Sequence, residues 1–245
     1  VLSADAEFRS AANAAYAAWL KQPPFIAYRT DVDVSIPAEK QFRRVSRAVE
    51  VRTKDDVAVL QDLPQGQNQV ANAFPLLPTF DALSYFRLDF RLGDPLRQHN
   101  PLVQVRMIEA LRFADPTPSG PEVTVVATAL RNYIASYGDD TNDRVAHIVM
   151  TPLPALTRGN GSDFYLHDVY VDLATDLPTR VVYDGPTTEF AVDYTTSFGN
   201  YWLIDHAFYR HTIAAPFHLV QTTFTTDAHL GDFTFPALPA DPRLR

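Results

Sequence analysis

The chain has 245 residues, of which 46% are apolar and 20% charged, and its formal net charge is −8. That is enough chain for a sizeable core and too apolar for wholesale disorder, and its acidity argues against general binding to phosphate backbones. With no cysteine in these residues, thiolate nucleophiles, disulfides, cysteine-ligated zinc and iron–sulfur clusters are excluded within them, and no lipid-anchoring cysteine is expected among them.

The N-terminus reads as a helix. Ser3 is placed to cap it, and Asp5 and Glu7 fall in the first turn, where the helix dipole favours negative charge. Phe8, Ala12, Ala15, Trp19 and Leu20 share one stripe at helical spacing, and Gln22-Pro23-Pro24 ends the run. Such a stripe is expected to pack on a sheet.

From Phe25 the period becomes two. Ile26, Tyr28, Val32, Val34 and Ile36 share one face of a strand, and Arg29, Asp31 and Asp33 the other. Val45, Val49 and Val51 then alternate with Arg44, Glu50 and Arg52. The basic run Phe42 to Arg47 lies inside this alternation and reads as a solvated strand face. Phe86, Leu88, Phe90 and Leu92 alternate with Arg87, Asp89 and Arg91. One-sided alternation marks an antiparallel sheet with one wet face.

The middle is less regular. Gly66 to Phe80 reads as a loop or a short helix. Asn100 to Phe113 fits both a helix, with Leu102, Val105, Ile108 and Leu111 on one side, and a strand; helix is the preferred reading. From Glu122 the chain is nearly all strand, in segments such as RVAHIVMTPL, DFYLHDVYVDL, PTRVVYDG, TEFAVDYT, NYWLIDHAFYRHTI and PFHLVQTTFTTD, each bounded by turn residues. Consecutive strands with short turns predict a meander in one domain spanning 1–245. Within it, Asp172 and Thr175 are expected to tie the corner before Pro178 through local hydrogen bonds.

No chemical motif stands out. There is no H-E-x-x-H and no G-x-S-x-G, and with nine glycines a phosphate-cradling loop is absent. Asp205 and His211 lie six residues apart on one strand, roughly 20 Å, which is too far for one metal. A metal site would need histidines from neighbouring strands. We therefore read His147, His167, His206, His211 and His218 as isolated histidines on a sheet, and expect no metal, no cofactor and no catalytic residue.

The C-terminal half carries HIVMTPL, then FYLHDVYVDLATDLPTRVVYDG, then FAVDY, and the chain closes with DAHLGDFTFPALP. Val171, Asp172, Thr175, Leu177, Pro178 and Arg180, with the tail Phe233 to Pro236, make the chain resemble the periplasmic LolA/LolB-like lipoprotein-carrier superfamily. The resemblance implies a mainly β (α+β) fold. Its centre would be a strongly curved antiparallel sheet, an unclosed half-barrel of about eleven strands, with the N-terminal helix and a short central helix on the concave side. The chain departs from simpler members by extra sequence between about Leu92 and Glu122.

The resemblance further implies an extracytoplasmic chain, periplasmic or secreted, whose signal peptide has been removed; the opening VLSADAEF has no start methionine and no basic-then-apolar leader. The implied function is carriage of a lipid, acyl chain or lipoprotein anchor in an apolar cavity, with a membrane-associated protein as partner and no catalysis. The chain holds 16 Phe, 11 Tyr and 2 Trp. Trp19, Tyr28, Phe86, Phe90, Trp202 and Phe208 are the residues expected to wall the cavity, with Trp202, Ile204, His206 and Phe208 on one face of their strand. Two alternatives stand beside this reading. One is a structural or protein-interaction module on the same sheet. The other is a hydrolase drawing a metal or His/Asp site from His167, Asp168, Asp205 and His206.

Overall fold

The computed structural model describes residues 2–36, 41–53, 57–63, 133–152, 165–184, 188–214 and 221–245. The segments Gly66 to Phe80 and Asn100 to Phe113 lie outside these residues, as do Phe86, Phe90 and the stretch from Leu92 to Glu122.

Helix α1 runs Ala4–Leu20. Ser3 caps it as expected: its Oγ accepts from the Ala6 amide at 3.3 Å and its carbonyl from the Glu7 amide at 2.9 Å. Ala4, Phe8, Ala11, Ala12 and Ala15 are buried. Four alanines on one stripe bring the helix backbone close to what it covers, and Phe8 supplies most of the apolar bulk. Glu7 is buried on the same side and only 5% exposed.

Among the described residues ten strands follow: β1 Phe25–Ile36, β2 Gln41–Arg52, β3 Val57–Asp62, β4 Tyr133–Tyr137, β5 Val145–Pro152, β6 Tyr165–Asp172, β7 Leu177–Asp184, β8 Thr188–Thr195, β9 Leu203–Ala214 and β10 Gln221–Thr234. They form one curved, unclosed antiparallel sheet in the order β3-β2-β1-β10-β9-β8-β7-β6-β5-β4. The last strand pairs with the first and joins the C-terminal meander to the N-terminal strands. Pairing of β1 with β10 runs from Ala27 opposite Thr234 to Ser35 opposite Thr225.

The two faces differ as the alternation predicts. Ile26, Tyr28, Val32 and Val34 of β1 are buried, with Val49 and Val51 of β2 beside them. The same face continues through Ala228 and Leu230, then Ala207 and Tyr209, Phe190 and Val192, Val181, Val169 and Val171, and Ala146, Ile148 and Met150. Helix α1 packs on this face over β4, β5 and β7.

The predicted corner is borne out. The Asp172 carboxylate accepts from the Ala174 amide at 3.1 Å and from the Thr175 hydroxyl at 2.8 Å, and Thr175 Oγ1 accepts from the Leu177 amide at 3.3 Å. Asp176 takes the left-handed φ of 57° that completes the turn. Gly199 and Asn200, at φ 63° and 59°, make a hairpin-type turn between β8 and β9, closed by the Tyr201 amide on the Phe198 carbonyl at 3.1 Å.

Two expectations are corrected. Arg47, in the run read as solvated, is buried on the apolar face, opposite Thr30 in register. It falls there by parity, since it lies an even number of residues from Val49 and Val51. The grouping of Trp202, Ile204, His206 and Phe208 on one face also fails. Asp193 pairs with His206, but the next residue, Tyr194, pairs with Ile204. Asp205 is therefore an extra residue in β9. A one-residue bulge reverses the alternation, leaving Ile204 on the buried face and sending His206 and Phe208 to the other.

Candidate functional site

The non-core face carries a polar row that crosses most of the sheet. His147 of β5 lies opposite Tyr170 of β6, Tyr170 opposite Arg180 of β7, and Arg180 opposite Asp193 of β8. Asp193 lies opposite His206 of β9, His206 opposite His229 of β10, His229 opposite Asp31 of β1, and Asp31 opposite Ser46 of β2. Direct cross-strand neighbours share a face and touch.

Most of the row is bonded along its length. Arg180 Nη1 donates to both oxygens of Asp193, at 3.0 and 3.1 Å. His206 bridges two carboxylates, Nδ1 to Asp193 Oδ2 and Nε2 to Asp227 Oδ1, each at 2.7 Å. His229 Nε2 reaches the same Asp227 oxygen at 3.3 Å, and the His206 and His229 rings stack with centroids 4.7 Å apart. At the β5 end His147 makes the same kind of bridge, with Asp140 on Nδ1 and Asp168 Oδ1 on Nε2 at 2.7 Å, and it stacks on Tyr170. His167 Nδ1 takes the second Asp168 oxygen at 2.8 Å. At the other end Ser46 and Arg29 bond Asp31.

These contacts set the electrostatics. The Asp193 hydrogen bond holds the His206 imidazolium, so its pKa rises despite burial, with Asp227 adding to the effect. Burial pushes the Asp205 carboxyl up, and the Asp193 charge adds to that. At Asp31 burial is outweighed by the Ser46 and Arg29 hydrogen bonds, and the pKa falls. Tyr170 is raised by burial first and by Asp140 and Asp168 next.

His147, His167 and His206 are thus not isolated, contrary to the sequence reading, while the side chains of His211 and His218 lie outside the described residues. The hydrolase candidates are split as well. His167 and Asp168 join His147 on β6 and β5, whereas Asp205 and His206 lie on β9, three strand spacings or roughly 14 Å away. Asp227 and His229 are missing from the sequence reading because the segment PFHLVQTTFTTD closes the last expected strand at Asp227. β10 continues to Thr234, and the alternation of Thr226, Ala228 and Leu230 with Asp227 and His229 was the signal that it does.

Of the residues expected to wall a cavity, Tyr28 and Trp202 each belong to the buried cluster. Tyr28 packs its ring 5.4 Å from Phe233, and Trp202 stacks on Tyr194 at 4.5 Å. Trp202 Nε1 also donates to the Pro178 carbonyl at 2.9 Å. Phe208 sits on the polar face, opposite Asp227. Trp19 belongs to α1, but its side chain, like Phe86 and Phe90, lies outside the described residues. On the buried face, among the described residues, the hydroxyls of Thr30 and Thr226 have no hydrogen-bond partner, nor does Glu7 Oε1.

No family model and no curated protein matches the chain. Solved structures similar to it include a DUF1329 family protein from Desulfovibrio piger, at TM-score 0.46 and 9% identity over 100% of this chain and 98% of that one. A putative outer membrane lipoprotein-sorting protein domain from Vibrio parahaemolyticus aligns at TM-score 0.41 and 10% identity, over 97% of each chain. A LolA superfamily protein from Nitrosomonas europaea aligns at TM-score 0.33 and 9% identity, over 98% of this chain and 96% of that one.

Proposed function

We propose that this chain is a non-enzymatic, extracytoplasmic binding protein that holds a lipid or acyl chain against the buried face of its sheet. The observation that carries the reading is a continuous buried apolar face that runs across the sheet from β2 to β5 and holds two unpartnered hydroxyls. Among the described residues α1 packs over β4, β5 and β7, while the apolar face continues across β8, β9, β10, β1 and β2. An acyl chain gains about 0.8 kcal/mol for each CH₂ it buries on such a surface.

The unpartnered hydroxyls of Thr30 and Thr226 lie on that remaining part of the face. A buried polar atom without a partner calls for an explanation, and a ligand with one polar group and an apolar tail would satisfy it. The motif resemblance in the C-terminal half implies the same kind of cargo. No described helix is long and apolar enough to cross a membrane.

Native mass spectrometry of the full chain, purified without detergent and followed by organic extraction, tests the reading. A bound mass that extracts as a lipid supports it. A bare mass of 27.4 kDa that takes up neither palmitate nor phosphatidylglycerol overturns it.

A further inference from the structure

We propose that His206, Asp227 and His229, on the polar face, form a binding site for a divalent transition metal ion of the zinc type. One ligand atom from each residue lies within 4.8 Å of the others. Two imidazoles and one carboxylate are the donor set that suits zinc and its neighbours, and they disfavour the hard, oxygen-seeking calcium and magnesium.

One edge of the triangle already matches the geometry of such a site. Ligand atoms 2.0–2.2 Å from a tetrahedral zinc stand roughly 3.3–3.6 Å from one another. His229 Nε2 and Asp227 Oδ1 are 3.3 Å apart. His206 Nε2 and the same oxygen are 2.7 Å apart, so that edge must open by about 0.6–0.9 Å to admit the ion. Both Asp227 and His229 are on the solvent side, with side chains 45% and 66% exposed. The fourth position is thereby open to water or to a ligand from a partner.

A second, independent feature points the same way. His206 is held from behind: Asp193 bonds its Nδ1 at 2.7 Å, and Arg180 grips Asp193 with two contacts. A carboxylate on one ring nitrogen fixes the proton there, and the ion displaces the proton from the other, Nε2, as it binds. The order is guanidinium, carboxylate, imidazole, ion, drawn from β7, β8, β9 and β10. His147 has a carboxylate on each side too, but among the described residues no second histidine joins it within ligand distance of a common point.

The test is zinc titration of the full chain by calorimetry, with cobalt(II) absorption spectra to report coordination. The expected result is saturable one-to-one uptake with a tetrahedral-type cobalt spectrum. His229→Ala and Asp227→Asn should each abolish it, while far-UV circular dichroism stays unchanged because both side chains are exposed. Asp193→Asn should weaken it about 10–100-fold, the usual cost of losing a carboxylate behind a ligating histidine. The paired control His147→Ala, His167→Ala should bind as the parent does. Absence of saturable uptake overturns the site, as does uptake that survives both His229→Ala and Asp227→Asn. Uptake lost only in the control places the ion at the β5–β6 cluster and equally overturns the assignment.

Discussion

The indole nitrogen of Trp202 donates to the backbone carbonyl of Pro178, 24 residues earlier, at 2.9 Å in the buried interior. The bond ties the start of β9 to the start of β7 across the intervening β8. It also gives the Leu-Pro corner a role beyond turning the chain, since Thr179 is a bulge residue there and frees a carbonyl for a side chain to use. We predict that Trp202→Phe costs about 1–3 kcal/mol, because it strands a buried acceptor and leaves a gap. Urea denaturation followed by circular dichroism measures it; a midpoint equal to that of the parent would show that the bond is replaced.

A second prediction concerns a close approach. A methyl group on Gly138 would collide with the His147 imidazole, which is clamped between Asp140 and Asp168. The backbone of Gly138 is not left-handed, so the penalty is steric alone. Gly138→Ala is expected to destabilise the protein by about 1–3 kcal/mol, the cost typical of overpacking. In a His147→Ala background the same change should cost much less. A double-mutant cycle reads the difference, and equal costs in both backgrounds would refute the contact.

A third follows from the buried carboxyl of α1. Burial, then the nearby Asp176 charge, raises the pKa of Glu7 above its ordinary 4.5. The folded protein therefore keeps this proton to higher pH than the unfolded chain does. Stability from this group is full below the ordinary value and falls as pH rises toward the folded one. Glu7→Gln should raise the Tm at pH 7, and the gain should vanish below about pH 4, where both side chains are neutral. A pH series of thermal melts decides it; a gain that persists in acid would locate the effect elsewhere.

A fourth separates an unpartnered hydroxyl from a liganded one. Thr30→Val and Thr226→Val keep the shape and remove the hydroxyl. In ligand-free protein each should raise stability, by about 1 kcal/mol or more, since a buried group without a partner carries its full desolvation cost. For lipid-loaded protein the proposed function predicts weaker binding in the same variants. Melts with and without palmitate give both readings.

Local alternation was enough to reveal the fold and not enough to reveal the polar row. Ile26, Tyr28, Val32 and Val34 announce their face because a half-buried strand must alternate, and Ser3 announces the helix start because an N-cap must accept a hydrogen bond. Asp172 and Thr175 were legible for the same local reason. His206 and His229 were not, since they are 23 residues apart and meet only through the register of β9 and β10. Register depends on turns and bulges, and Asp205 hides inside a run that reads as unbroken strand. Phe208 was misplaced by that same residue. Arg47 was misjudged because its charge outweighed its parity.

Asp205 works like a frameshift in a message that has only two letters, inside and outside. The ten residues LIDHAFYRHT read as one unbroken strand, but removal of Asp205 would turn the strand beyond it inside out. Ala207 and Tyr209 would face solvent, while His206 and Phe208 would enter the core. A single deletion at this point of the sheet would thus undo both faces at once, whereas the loss of a residue from the turn at Phe198 to Tyr201 would touch only a hairpin. Any relative aligned through β9 without this extra residue will have its histidine frame on the wrong side.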